Sequence, residues 1–170
     1  MKFFETSKYY SLKKSTYIIL RWIAIIGQLI SVNLVYFYFD FKFDFISCNL
    51  IIFFGILSNI YLIYIYPKTQ ISDRSALVFL LIDIFQLSTL IYLTGGILNP
   101  FIIFLIIPSI FASSNLGFRT NLFLIVTTIL TIIFLTFFSK DLPEPLNYHF
   151  HVSPYYVYSI TISLIIALIF

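Results

Sequence analysis

Charge is what this sequence has least of. Only 10% of its 170 residues are Asp, Glu, Lys or Arg, while 61% are hydrophobic; soluble domains run at about 25% charged and about 45–50% apolar. A chain this short has no core large enough to hide that much apolar surface from water. A soluble globular domain is thereby excluded, and acyl chains must solvate the outer faces. Strict apolar–polar alternation is missing as well, which argues against an outer-membrane barrel and for helices. One cysteine, Cys48, excludes an intramolecular disulfide. The first apolar run, Tyr17 to Phe39, is longer than a signal-peptide h-region and no A-x-A-like site follows it, so a cleaved leader is not expected. There is no internal repeat, no metal-ligand or nucleophile constellation, and no feature that calls for a nucleic-acid partner. Alanine is scarce where Phe (21) and Tyr (13) abound. That bias fits an AT-rich coding sequence, so an aromatic residue is not by itself a functional signal.

What is present is a series of apolar runs near the roughly 20 residues that span a bilayer. The spacing predicts an all-α integral membrane protein, a bundle of six transmembrane helices. They fall at about Tyr17–Phe39, Phe45–Tyr66, Ser75–Thr94, Pro100–Leu116, Arg119–Phe138 and from Ser153-Pro154 to Phe170. Pro67 closes the second and Pro108 interrupts the fourth. Residues 1–16 are polar and lysine-rich and read as a cytoplasmic tail, with 17–170 as the membrane domain. Of the ten Lys and Arg residues, eight (Lys2, Lys8, Lys13, Lys14, Arg21, Lys68, Arg74 and Arg119) fall on one side, and Lys42 and Lys140 on the other. Basic loops stay inside, so the N-terminus is expected in the cytoplasm and the loops 40–44, 95–99 and 139–153 outside. The last helix is still apolar at Phe170, which reads as a helix cut before a cytoplasmic continuation.

One stretch carries chemical information: Gly95-Gly96-Ile97-Leu98-Asn99-Pro100-Phe101. Two glycines permit the positive φ that ends a helix in a sharp turn. Asn99 and then Pro100 suit the N-cap and first position of the next helix. The third and fourth helices should thus form a hairpin with a tight external turn. Free N–H groups and the dipole of the fourth helix would face that turn and favour a carbonyl oxygen. The glycines would admit a ligand to the backbone, and Phe101, Phe104 and Tyr92 would flank a flat ring such as a quinone. A plain tight turn explains the same residues without a ligand.

The heptapeptide matches in full the GGxxNPF motif of the RegB/PrrB/ActS family of redox-responsive sensor histidine kinases, which this sequence resembles. In that family the motif occupies the short external loop between the third and fourth of six helices. Leu20-Arg21-Trp22 with Gly27-Gln28 is similar to the family's first helix, and Pro108 followed by Ser109–Ser113 to its fourth. The resemblance implies a multi-pass protein of the bacterial inner membrane, the signal-input part of a two-component kinase. It implies ubiquinone as ligand, with Gly95, Gly96, Asn99, Pro100 and Phe101 as the quinone site. It also implies contact with the quinone pool, a homodimer and a cytoplasmic response regulator as partner. The family's phosphoacceptor histidine, ATP-binding domain and redox-active cysteine are absent from this chain. Cys48, His149 and His151 do not stand in for them.

Other polar residues divide between site and packing. Asp83 and Gln86, three apart in the third helix, share a face; they could couple a proton or the signal, or simply bond to a neighbouring helix. Asp83 lies eleven residues before the turn, about 16 Å along a helix, so a ring at the turn should not touch it. Arg21 and Trp22 read as interfacial anchors, with Arg21 snorkelling to head groups. Gln28 and Asn33 read as interhelical glue, and the two histidines as solvated loop residues. A small transporter and a non-catalytic membrane anchor subunit are the competing functions.

Overall fold

A computed structural model describes residues 12–67, 69–144 and 152–169. Most of the N-terminal tail, together with His149 and His151, lies outside the described residues.

Among the described residues six α-helices and two 3-10 segments follow one another. They are α1 (Lys14–Phe37), α2 (Phe45–Tyr64), α3 (Asp73–Leu93), 3-10 segments at Gly96–Leu98 and Pro100–Ile106, α4 (Ile107–Asn115), α5 (Phe118–Phe137) and α6 (Pro154–Ile169). The expected boundaries hold to within three residues. Four helices, α1, α2, α3 and α5, are long and apolar enough to cross a membrane. The outward face of α1 is a stripe of exposed Ile19, Ile23, Ile26 and Ile30. Such a face is stable against lipid and would not be in water.

The fourth segment departs from the expected α-helix, and proline explains how. Pro108 has no N–H to give to Phe104 O four residues back; Ile107 gives its own instead, in the tighter i to i+3 pattern. From Pro100 to Ile106 the chain is therefore 3-10, and it becomes α-helical only at Ile107. With rises of about 2.0 and 1.5 Å per residue, the two parts together extend about 27 Å, close to the hydrocarbon thickness.

α3 is the central element. It packs on α2, α5 and the 3-10 segment and buries Phe79, Leu80, Ile84, Leu87 and Ile91. α1 packs along α2. Two short strands were not expected from the sequence. β1 (Leu12–Lys13) and β2 (Gln70–Ile71) pair antiparallel, Leu12 with Ile71 and Lys13 with Gln70. Lys14 Nζ extends this clamp by donating to Ile63 O (3.0 Å) and Tyr66 O (2.7 Å) at and just after the end of α2.

The loops sort to two ends of the bundle. At one end Gly117 N donates to Asp73 Oδ1 (2.8 Å) and Thr120 Oγ1 to Asp73 Oδ2, so an acid on α3 caps the N-terminus of α5. At the other, Lys140 N donates to Tyr92 O (3.0 Å) and Lys140 Nζ lies 3.8 Å from Asp44 Oδ2.

Candidate ligand cavity between two polar ends

The turn after α3 is built as its residues dictate. Gly95 and Gly96 take φ of 111° and 55°, conformations that L side chains rarely adopt. Asn99 holds the turn shut: its Nδ2 donates to Thr94 Oγ1 (2.6 Å) and Thr94 O (3.1 Å), and its Oδ1 accepts from Phe101 N (2.8 Å). Ile102 N donates to Asn99 O (2.9 Å).

Three expectations for this turn change. The N–H groups of Phe101 and Ile102, which were to face a ligand, are already taken by Asn99, because the residue that caps the helix occupies its donors. The glycines give close approach to the protein's own chain. A Cβ on Gly95 would lie 2.5 Å from Leu142 Cδ1, and one on Gly96 would collide with the Ser139 side chain and come within 2.9 Å of Leu135 O. Tyr92 turns away to stack on Phe134 of α5, with ring centroids 6.3 Å apart. Asn99, Pro100 and Phe101 do border a cavity, and Phe104 joins them there, its ring centroid 5.7 Å from that of Phe101.

That cavity, about 790 Å³, runs between α1 on one side and α3 with the fourth segment on the other. Its walls are mostly apolar: Ile25, Val32, Leu80, Leu87, Phe104 and Phe111 are among them. One end is the turn. The other end, toward the start of α1, is a polar cluster that was not expected from the sequence. Arg21, expected to snorkel to the lipid surface, is instead buried at 5% exposure and bonded to Asp83, with Nη2 2.8 Å from Asp83 Oδ1. Arg21 Nε donates to the same oxygen (2.9 Å), Tyr17 Oη donates to Asp83 Oδ2 (2.5 Å), and Arg21 Nη2 also donates to Ser58 Oγ on α2 (2.9 Å). The Arg21 guanidinium carbon sits 5.5 Å from the Tyr17 ring centroid. The reason for the inward turn is electrostatic: Asp83 is an acid within a membrane span, and a cation within reach offsets part of the cost of burying either charge alone. The sequence signal was an acid in the middle of α3 and a base in the first half of α1.

One turn further out, Gln86 Nε2 donates to Gln28 Oε1 (2.7 Å). The interhelical role expected of Gln28 is thus observed, and Gln86 is its partner. Asn33 Nδ2 reaches Asn49 Oδ1 on α2 at 3.5 Å. The cavity reaches both the turn and Asp83, which the sequence reading had kept apart. Cys48 is fully buried and free, packed with Ile25, Ile52 and Leu90 away from the cavity's polar ends. Among the described residues no group of three or more His, Cys, Asp or Glu is placed to hold a metal.

No protein-family model matches the chain, and no solved structure matches it. Among curated proteins, the sensor histidine kinase RegB of Cereibacter sphaeroides is 30% identical over 128 residues, 75% of this chain. The chain spans only 28% of the length of that relative. The aligned length is several times that of the heptapeptide and takes in most of the helical membrane region. The resemblance first carried by Gly95–Phe101 therefore holds along most of the sequence, and this chain is a relative of the RegB-type sensor histidine kinases in their membrane-sensor part.

Proposed function

We propose that this chain is the membrane signal-input module of a two-component sensor histidine kinase, and that its cavity takes a quinone. The observation that carries this reading is the cavity itself. It has the size of a small-molecule site, apolar walls for a ring and an isoprenoid tail, and a few polar groups at its two ends. Asn99, Pro100 and Phe101 form its outer rim, with Gly95 and Gly96 shaping the turn behind them. Ubiquinone fits these walls, and the quinone pool is reached laterally through the lipid.

A sensor must bind its oxidised and reduced ligand with different affinity, and each form must favour a different packing of the helices. The cavity separates α1 from α3, so a ligand that fills it acts on their spacing. The change then passes to α6 and onward to a cytoplasmic kinase region and its response regulator. In this reading the chain crosses the bacterial inner membrane six times with its N-terminus inside, and works as a homodimer.

The test is equilibrium binding of a short-tailed ubiquinone to the purified chain in nanodiscs. Phe101→Ala removes an aromatic contact worth about 0.5–1.5 kcal/mol and should weaken binding up to about tenfold. Asn99→Ala opens the turn and should weaken it as well. Unchanged affinity in both variants would remove the turn from the site, and no saturable binding by the unaltered chain would remove the quinone.

A further inference from the structure

We infer that the polar-cluster end of the cavity is a ligand subsite in its own right, in which Arg21 Nη1 donates a hydrogen bond to an oxygen of the bound molecule. The inference rests on the proposal that the cavity takes an apolar, oxygen-bearing ligand, and it assigns where the oxygen goes.

A guanidinium has five N–H donors. Arg21 directs Nε at Asp83 Oδ1 and Nη2 at both Asp83 Oδ1 and Ser58 Oγ. Its Nη1 is buried and has no partner among the described residues. A buried donor on a cation that is left unpaired is expensive, more so than a neutral one. Arg21 borders the cavity, as do Tyr17 and Asp83 around it. A ligand oxygen that displaces the packing over Nη1 at this end meets a charged donor already held by two neighbours.

The chemistry of the acceptor follows from the charges. Asp83 already balances Arg21, so an anionic ligand would leave this apolar cavity with an uncompensated charge. A neutral carbonyl or hydroxyl oxygen satisfies Nη1 without that penalty. The opposite end offers less: Phe101 N, Ile102 N and the Asn99 amide are engaged within the turn. Asp83 and Thr94 are eleven residues apart on α3, about 16 Å, further than the two oxygens of one ring. One oxygen of the head group therefore sits at Arg21, and Phe101 and Phe104 receive apolar parts of the molecule.

The test is a cycle between the ligand's oxygens and the arginine. Affinities of the full chain in nanodiscs would be measured for decylubiquinone and for decylbenzene, which keeps a ring and tail but has no oxygen. Arg21→Lys keeps the charge opposite Asp83 and loses the planar fork. It should weaken decylubiquinone about tenfold while decylbenzene changes by less than threefold. Asn49→Ala, on α2 and outside the cavity wall, should change neither by more than threefold. Equal weakening of both probes by Arg21→Lys, or no weakening, overturns the inference. If that variant does not fold, Arg21→Gln combined with Asp83→Asn removes the charges together and is read in the same way. Infrared spectra of carbonyl-labelled decylubiquinone on the unaltered chain supply a check without substitution. A carbonyl band moved to lower frequency than in dry detergent supports the donor, and an unmoved band overturns it. Failure of the unaltered chain to bind decylubiquinone refutes the quinone proposal itself, whereas binding that is indifferent to Arg21 refutes only the subsite.

Discussion

Single residues in this protein are decided by what the low-dielectric interior does to polar atoms. Arg21 and Asp83 are each costly alone and tolerable together, and Tyr17 and Ser58 add a hydrogen bond to each, leaving Arg21 Nη1 unpaired among the described residues. Asn59 shows the opposite case. It is fully buried in α2, and neither its Nδ2 nor its Oδ1 has a hydrogen-bond partner among the described residues. Replacing a buried unpaired amide by an apolar side chain of similar size removes a desolvation cost of about 1–3 kcal/mol. Asn59→Leu should therefore raise the thermal unfolding midpoint in detergent, and a lower midpoint would mean that Asn59 has a use which its isolation in α2 does not reveal.

At the level of elements, caps and prolines set where helices begin and how they wind. Asp73 of α3 supplies the N-terminal cap that α5 lacks at Gly117, tying two helices by their ends. Asp44 caps α2 by accepting from Ser47 N (3.2 Å) and Ser47 Oγ (2.7 Å). Those bonds, with Lys140 nearby, hold its carboxyl below the usual carboxylate range. A group whose pKa is depressed by folding adds stability above its unfolded value, and that stability is lost as pH falls through its folded value. The outer end of α2 should thus be fully secured at neutral pH and loosen only in acid, below about pH 4. Hydrogen exchange at residues 45–48 should speed up on acidification through that range. Asp44→Asn keeps a capping side chain but does not titrate, so it should flatten the dependence, and an unaltered profile would assign the effect to another group.

Across the whole molecule the arrangement is asymmetric. α3 sits in the centre with α2, α5 and the fourth segment against it, while α1 is joined to α3 through polar rungs, Arg21 with Asp83 and Gln28 with Gln86, beside a cavity. The N-terminal end of α1 is clamped by the β1–β2 pair and by Lys14. A ligand that bridges this gap should stabilise the fold through mass action, by about 2.7 kcal/mol at a hundredfold excess over Kd. A short-tailed ubiquinone should accordingly raise the unfolding midpoint of the unaltered chain, and no rise at saturating concentration would count against occupancy of the cavity.

The sequence by itself determined the class of fold, because runs of apolar residues near bilayer length leave few alternatives, and helix ends are marked locally by Pro67, by Gly95-Gly96 and by Asn99-Pro100. It also determined the family resemblance, since seven contiguous residues of unusual composition identify themselves. Only the tertiary structure decided what lies between the helices. Arg21 and Asp83 are 62 residues apart in the chain, and nothing local says that a base near one helix end will turn inward to an acid on another. Nor could the sequence say that Asn99 would consume the donors of its own turn, or that the glycines make room for Leu142 and Ser139. Local signals fix helix ends because caps and prolines act within a few residues. The cavity is defined by a gap between α1 and α3, and a gap exists only after the helices have packed.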